Sequence, residues 1–225
     1  MRLAASIGVA AGCLAAAAPA AANVRQLVVF RSGEAVQGQV KAAGTKVKVG
    51  SRTCAVPART SLAALLRSHV GPVNLHDYGS CSSKAADAAG LYVRKIRKDA
   101  AHGPNGWVYK VGHTTAPAGA ADPTGPFGHG RLEPGARVTW FYCHMGARGC
   151  QRTLDITKVT APAQDGSVRV TVRAFDDSGT GKPAAGATVH SGGATAKANA
   201  QGVATITPSG GMFASKPGLV RSFAI

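Results

Sequence analysis

The chain has 225 residues, and its 26 Lys plus Arg against 10 Asp plus Glu leave a formal net charge of +16, although only 16% of residues are charged. With 29 Gly and a large excess of Ala, but only 2 Trp, 4 Tyr and 6 Phe, the core must rest on Val, Leu, Ile and Ala. That argues against one large aromatic-rich enzyme core, and the length sets a prior of one or two domains.

Arg2 gives a short positive start, Leu3 to Ala18 is apolar and alanine-rich, and Ala20-Ala21-Ala22 supplies a small-residue cut that leaves Asn23 as the mature start. This pattern reads as a secretory signal peptide over residues 1–22. Its apolar run is shorter than the roughly 20 residues needed to span a bilayer, which argues against a membrane anchor. The alternative, a lipoprotein signal in which Cys13 carries the lipid, is disfavoured by Ala10 at the position three before it and by the shortness of the preceding apolar stretch. No later stretch reaches spanning length, so the expected protein is secreted or at the cell surface, with no transmembrane segment after signal removal.

Export changes the reading of the cysteines. With Cys13 removed, Cys54, Cys81, Cys143 and Cys150 remain, and an even number in an exported chain implies disulfides. Three connectivities are open. The nearest-neighbour pairing, Cys54 with Cys81 and Cys143 with Cys150, is favoured because each bridge then closes a loop inside one stretch of chain; chain entropy alone assigns these loops about 3.6 and about 2.5 kcal/mol. A zinc site is disfavoured because no C-x2-C pair exists.

A composition shift near Ala161-Pro162-Ala163-Gln164-Asp165-Gly166, where the cysteines stop and turn residues take over, divides the chain into modules at 23–160 and 161–225. Most of the positive charge lies in the first. There, Leu27 to Phe30 and Thr45 to Val49 read as strands, the second by strict alternation. Thr60 or Ser61 can cap a helix whose Leu62, Leu65 and Leu66 recur at helical spacing, and Gly71-Pro72 ends it. Leu91 to Ile96 is β-like, Gly103 to Gly106 is a turn, Trp107 to Val111 alternates again, a Gly/Pro/Ala loop covers 114–130, and Arg137 to Cys143 is a further strand. This order predicts a small α+β domain with one helix on a mixed or antiparallel sheet.

The succession of the capped helix, Tyr92-Val93-Arg94-Lys95-Ile96, Gly106-Trp107-Val108-Tyr109-Lys110-Val111 and Leu132-Glu133-Pro134-Gly135-Ala136-Arg137-Val138-Thr139-Trp140-Phe141-Tyr142 resembles a bacterial extracellular domain family of unknown function. That family is related to the C-terminal domain of the cobalamin carriers transcobalamin and intrinsic factor. The resemblance covers roughly residues 23–158 and implies a G-W-x-Y-x-V strand followed by a loop, a turn and a V-x-W-x-Y strand. Two departures mark a divergent member: Gly112-His113 stands where the family has Asn-Gly, and Arg137 where it has Asp.

In the second module Val168, Val170 and Val172 alternate with Arg169, Thr171 and Arg173, the pattern of a half-buried strand. Asp176 to Pro183 is a turn, Gly186 to Val189 a strand, Asn199 to Gly202 a tight turn and Val203 to Ile206 a strand. The spacing indicates a short β-sandwich, and P-x-x-G-A-x-V followed by x-x-G-x-A-x-I resembles bacterial Ig-like and carboxypeptidase-regulatory-like modules. The last residues, Phe223 to Ile225, fall short of the final strand that the resemblance implies, so a frayed or partner-completed edge is expected.

No reactive constellation emerges. Ser178-Gly179-Thr180-Gly181-Lys182 is not a phosphate loop, because Asp176 and Pro183 occupy the positions of the first Gly and the Ser/Thr. His102, His113, His129 and His144 are singly spaced, and the adjacent Asp176 and Asp177 belong to a turn rather than an acid/base pair. A Cys/His pair would need a free thiol. No cofactor or metal is called for.

Two features remain as binding candidates. Arg94, Lys95, Arg97 and Lys98 form the densest basic cluster; strand alternation would set Arg94 and Lys98 on the face of Ile96, and Lys95 and Arg97 on the other. A solvated strand end competes there with contact to an anionic polymer, and export disfavours nucleic acid. Trp107 with Tyr109, and Trp140 with Tyr142, are each spaced to share a strand face, where core packing competes with a ligand platform. The expectation is a non-enzymatic exported protein acting in binding or attachment at the cell surface, its partner an anionic cell-wall polymer or a surface protein. The alternative is a small-molecule carrier, for which the resemblance points weakly to cobalamin.

Overall fold

The structure, a computed structural model, describes residues 21–225; the predicted signal peptide, with Cys13, lies almost wholly outside them. In chain order the elements are β1 (Ala22–Val29), β2 (Ala35–Ala42), β3 (Thr45–Val49), β4 (Arg52–Val56), helix α1 (Ser61–Arg67), β5 (Val73–Asp77), a 3-10 turn (Ala85–Gly90), β6 (Leu91–Ile96), β7 (Asp99–Ala100), β8 (Gly106–Val111), β9 (Thr114–Thr115) and β10 (Arg137–Cys143). There follow β11 (Thr153–Val159), β12 (Val168–Phe175), β13 (Gly181–Pro183), β14 (Thr188–Ser191), β15 (Ala194–Lys197), β16 (Val203–Ile206) and β17 (Met212–Ser215). The described chain is mostly β, arranged in several largely antiparallel sheets. The cut expected after Ala22 falls inside β1, whose first residue is buried opposite Ala42.

The first sheet is mixed, in the order β2-β1-β10-β8-β9, with β1 and β10 parallel and their neighbours antiparallel. One face carries the main core: Val24 and Val28 from β1, Val138, Trp140 and Tyr142 from β10, and Trp107 and Tyr109 from β8. Helix α1 covers part of that face through Leu62 and Leu65. Thr60 caps it, its hydroxyl accepting from the Ala63 amide at 3.2 Å. A seven-residue helix has little stability of its own, so it stands on packing. The β3-β4 hairpin and the three-stranded β5-β6-β7 sheet close the remaining side.

Cys54 bridges to Cys81, tying β4 to the loop before the 3-10 turn, and Cys143 bridges to Cys150, closing the loop after β10. The nearest-neighbour pairing is therefore the one present.

The change of architecture comes earlier than residue 161. β11 pairs antiparallel with β12, and its Leu154 and Ile156 join the core made by Val168, Val170, Val172, Val189, Ala204 and Ala214. The composition shift at 161–166 lies in the turn between β11 and β12, so it marks a hairpin connection rather than the start of the second core. Two sheets, β11-β12-β13 with β16 on β12, and β15-β14-β17, enclose this second core. The expected frayed end is absent: Ile225 and Met212 exchange backbone hydrogen bonds at 2.9 Å, and the Ser222 amide donates to the Ala214 carbonyl at 2.9 Å.

A third core joins the two halves. Leu27, Val29, Phe141 and Cys143, on the back of the first sheet, pack against Val220 and Phe223. The β1-β10-β8 sheet is thus buried on both faces.

Candidate functional site

Alternation along β8 and β10 aims Trp107, Tyr109, Trp140 and Tyr142 at the main core, and none is more than 6% exposed. They form no open platform. Their rings pack in pairs, Tyr109 with Trp140 at 5.1 Å and Trp107 edge-on to Tyr142 at 5.9 Å. The Trp107 indole N–H donates to the Asp99 carbonyl at 2.8 Å, and the Tyr109 and Tyr142 hydroxyls donate to the carbonyls of Ala118 and Ala100. The indole N–H of Trp140 is buried without a partner.

Three of the four aromatics nevertheless reach a cavity of about 380 Å³. Its walls are Trp107, Tyr109 and Trp140 on one side, Leu91 and Tyr92 of β6 on another, and the chain from Thr115 to Ala120 on a third. Tyr78 stands at its rim, 76% exposed, with its ring 4.4 Å from His76 and 6.0 Å from Tyr92. Two close approaches shape this cavity. A Cβ on Gly119 would strike the Ala89 carbonyl, and one on Gly90 would come within 2.6 Å of the Gly79 amide nitrogen. Burial pushes the Tyr109 hydroxyl well above the ordinary phenol range; burial, with Tyr78 nearby, also raises that of Tyr92. Both phenols are therefore neutral donors at physiological pH. The site is suited to holding an apolar or aromatic group. In the sequence Tyr78 and Tyr92 carry no signal of this site: Tyr92 belongs to a different sheet and Tyr78 to the bend after β5, and no spacing rule links them to β8 and β10.

The basic cluster departs from strand alternation, and one of its members turns inward. A bulge between β5 and β6 pairs Asn74 with Lys95 and Leu75 with Val93, leaving Arg94 as the extra residue. Two residues then oppose one and alternation fails, so Arg94 and Lys95 are both exposed. Arg97 adopts a left-handed φ of 52° in the following turn and serves as a clamp. Its guanidinium donates to the Val70 carbonyl at 2.6 Å, pairs with Glu34 at 2.6 Å and lies 4.3 Å from the Phe30 ring centre. Lys98 is exposed at the turn.

The histidines also disperse. His102, His129 and His144 are exposed, whereas His113 stacks on Phe175 at 3.6 Å and meets the Asp155 carboxylate at 2.8 Å. Asp155 accepts two further bonds, at 2.8 and 2.6 Å, from the guanidinium of Arg137. This trio joins the first sheet to β11. Beside it the fully buried Lys110 ammonium donates to the carbonyls of Phe175 at 3.1 Å and Asp176 at 2.7 Å, with Asp177 at 3.7 Å. Burial lowers its pKa, an effect opposed by Asp177 and Asp176. Asp176 and Asp177 indeed point apart: Asp176 caps its own turn through Ser178 and Thr180, while Asp177 accepts from Thr115 and from the Cys150 amide.

Comparison of the chain with family models, with curated proteins and with solved structures finds no match.

Proposed function

We propose that this is a non-enzymatic exported protein that acts in binding or attachment at the cell surface, its cationic exterior contacting an anionic cell-wall polymer. The observation that carries the reading is the disposition of charge. Every carboxylate is engaged within the molecule: Glu34, Asp77, Glu133, Asp155, Asp176 and Asp177 in ion pairs, and Asp87, Asp99, Asp122 and Asp165 as acceptors in turns and loops. Those pairs engage Arg52, Arg59, Arg97, Lys110, Arg137 and Arg152. The other described lysines and arginines have no acidic partner, so their field faces outward and favours a polyanion. The two disulfides fit an oxidising compartment, and among the described residues no helix is long and apolar enough to cross a membrane.

In this reading the half built on the first sheet is a transcobalamin-C-terminal-like domain, and the half from β11 onward is an Ig-like or carboxypeptidase-regulatory-like module that spaces or presents it. A surface protein with an acidic face is the other partner that the charge fits. The test is co-sedimentation of the full chain with purified cell wall at rising salt. Binding at low salt that is lost as salt rises is expected; no binding at low salt overturns the reading.

The aromatic cavity favours a second reading, a small-molecule carrier or binding protein, since Trp107, Tyr109 and Trp140 line it and offer an apolar, aromatic wall to a ligand. Tryptophan emission titrated with cobalamin, and with simple aromatic compounds, should then change saturably. A flat titration removes this reading.

A further inference from the structure

A cleft of about 720 Å³ runs between the two halves of the molecule. One wall is the β1-β2 turn from Arg31 to Gly33 with Phe141, Tyr142 and His144; the other is Phe213 and Ser215 of β17 with the segment from Lys216 to Arg221. No carboxylate lines it, whereas Arg31, Lys216 and Arg221 do.

The two arginines differ from the clamp arginines elsewhere in the molecule. Neither has an acidic partner among the described residues. The Arg221 guanidinium lies 3.8 Å from the Phe213 ring centre, and only its Nε is used, donating to the Ser222 carbonyl at 3.3 Å. Arg31 lies 5.8 Å from the Tyr142 ring centre. Its backbone amide is tied to Asp99 at 2.8 Å, which fixes the root of the side chain. Lys216 is held by the Ala185 carbonyl at 2.6 Å. Burial pushes the Arg221 pKa down, but a guanidinium stays charged at any physiological pH. The result is a pair of planar donor forks, each placed against an aromatic face, in a concave site with no internal counter-charge. Such placement lowers the entropy lost when an oxyanion is gripped.

We infer that this cleft between the halves is the site at which the protein grips phosphate groups of a phosphate-bearing polyanion. The inference rests on the reading of an anionic wall partner and names its contact point. Phosphate is the group assigned because its two non-bridging oxygens match the bidentate fork of a guanidinium, the side chain favoured for phosphate recognition; a carboxylate polymer serves as the competing case in the test. The cleft volume, within the range of drug-sized ligand sites, fits a short run of a chain.

The experiment uses the full chain and fluorescently labelled inorganic polyphosphate, with polygalacturonate as the carboxylate polymer, read by anisotropy at low salt. The variants are Arg31→Gln with Arg221→Gln, the charge-retaining Arg221→Lys, and the surface control Arg94→Gln with Lys95→Gln; circular dichroism and thermal melts confirm folding. Expected are a loss of polyphosphate affinity of at least about 10-fold in the cleft double variant, a smaller loss in Arg221→Lys, and less than about 3-fold in the surface control, following from the strength of charge-assisted Arg–phosphate bonds. Unchanged affinity in the cleft variant with loss in the surface control overturns the cleft site but leaves the polyanion reading standing. Equal binding of polygalacturonate overturns the phosphate assignment. Failure of the native protein to bind either polymer overturns the polyanion reading and the cleft proposal together.

Discussion

Replacing Asp155 with Ala should show how firmly the two halves are joined. The Asp155 side chain is 6% exposed and is gripped by Arg137, 29% exposed, and by His113, 37% exposed. Removing one partner of a buried ion pair costs about 3–5 kcal/mol because a charge is left uncompensated. Partial solvent access to Arg137 and His113 places the expected loss at the lower end, about 3 kcal/mol. For a chain of this size that corresponds to a fall in Tm of about 6–12 °C. Arg137 belongs to β10 and Asp155 to β11, so the loss should displace the unfolding of the whole molecule. Urea unfolding followed by tryptophan emission, which reports the first half, and by far-UV circular dichroism, which reports both, should give coincident shifted transitions. A double-mutant cycle with Arg137→Ala should return most of the loss as coupling energy. A loss below about 1 kcal/mol, the range of exposed pairs, or a shift seen by one probe alone, would refute the claim that this trio holds the halves together.

The Cys54→Ser, Cys81→Ser variant should lose about 3.6 kcal/mol in the same unfolding assay, from the entropy of the opened loop; an unchanged midpoint would contradict a stabilising bridge. Lys110 yields a pH signature. Its pKa is lowered from the ordinary 10.5, so between its lowered native value and 10.5 the unfolded chain binds the extra proton. Stability therefore rises with pH through that window. The stability of native protein relative to Lys110→Met should move in favour of native protein as pH is raised from neutral toward 10, and a pH-independent difference would contradict the burial of a charged ammonium. Gly90→Ala should cost about 1–3 kcal/mol, an overpacking penalty, because the new methyl would meet Gly79 backbone atoms at 2.6 and 2.9 Å; a neutral effect would refute the close approach at the cavity.

Local signals carried most of the elements. Thr60 followed by the Leu62 and Leu65 spacing located α1, the Lys46-Val47-Lys48-Val49 alternation located β3, and the valine alternation of 168–172 located β12. β2 was missed because Gly38 and two glutamines interrupt its pattern, and β17 because Met212-Phe213-Ala214-Ser215 shows no alternation of apolar and polar residues. Alternation also assigned the aromatic face of β8 and β10 correctly, but it could not say what covers the opposite face. The clue was present in β10, where Val138 to Cys143 is almost uninterruptedly apolar, the mark of a strand buried on both sides. That second burial is what draws in Val220 and Phe223, encloses Lys110 and creates the cleft. Arg31, Phe213 and Arg221 are distant in sequence and meet only because the halves dock, so no motif could have announced them.

The claim that the outward cationic field binds a polyanion is tested most directly by the salt dependence of the association of the full chain with labelled polyphosphate. The account predicts binding at low salt and a linear fall of log K with log salt concentration, as counterions are released from neutralised phosphates. Absence of binding at low salt, or an affinity indifferent to salt, would contradict it.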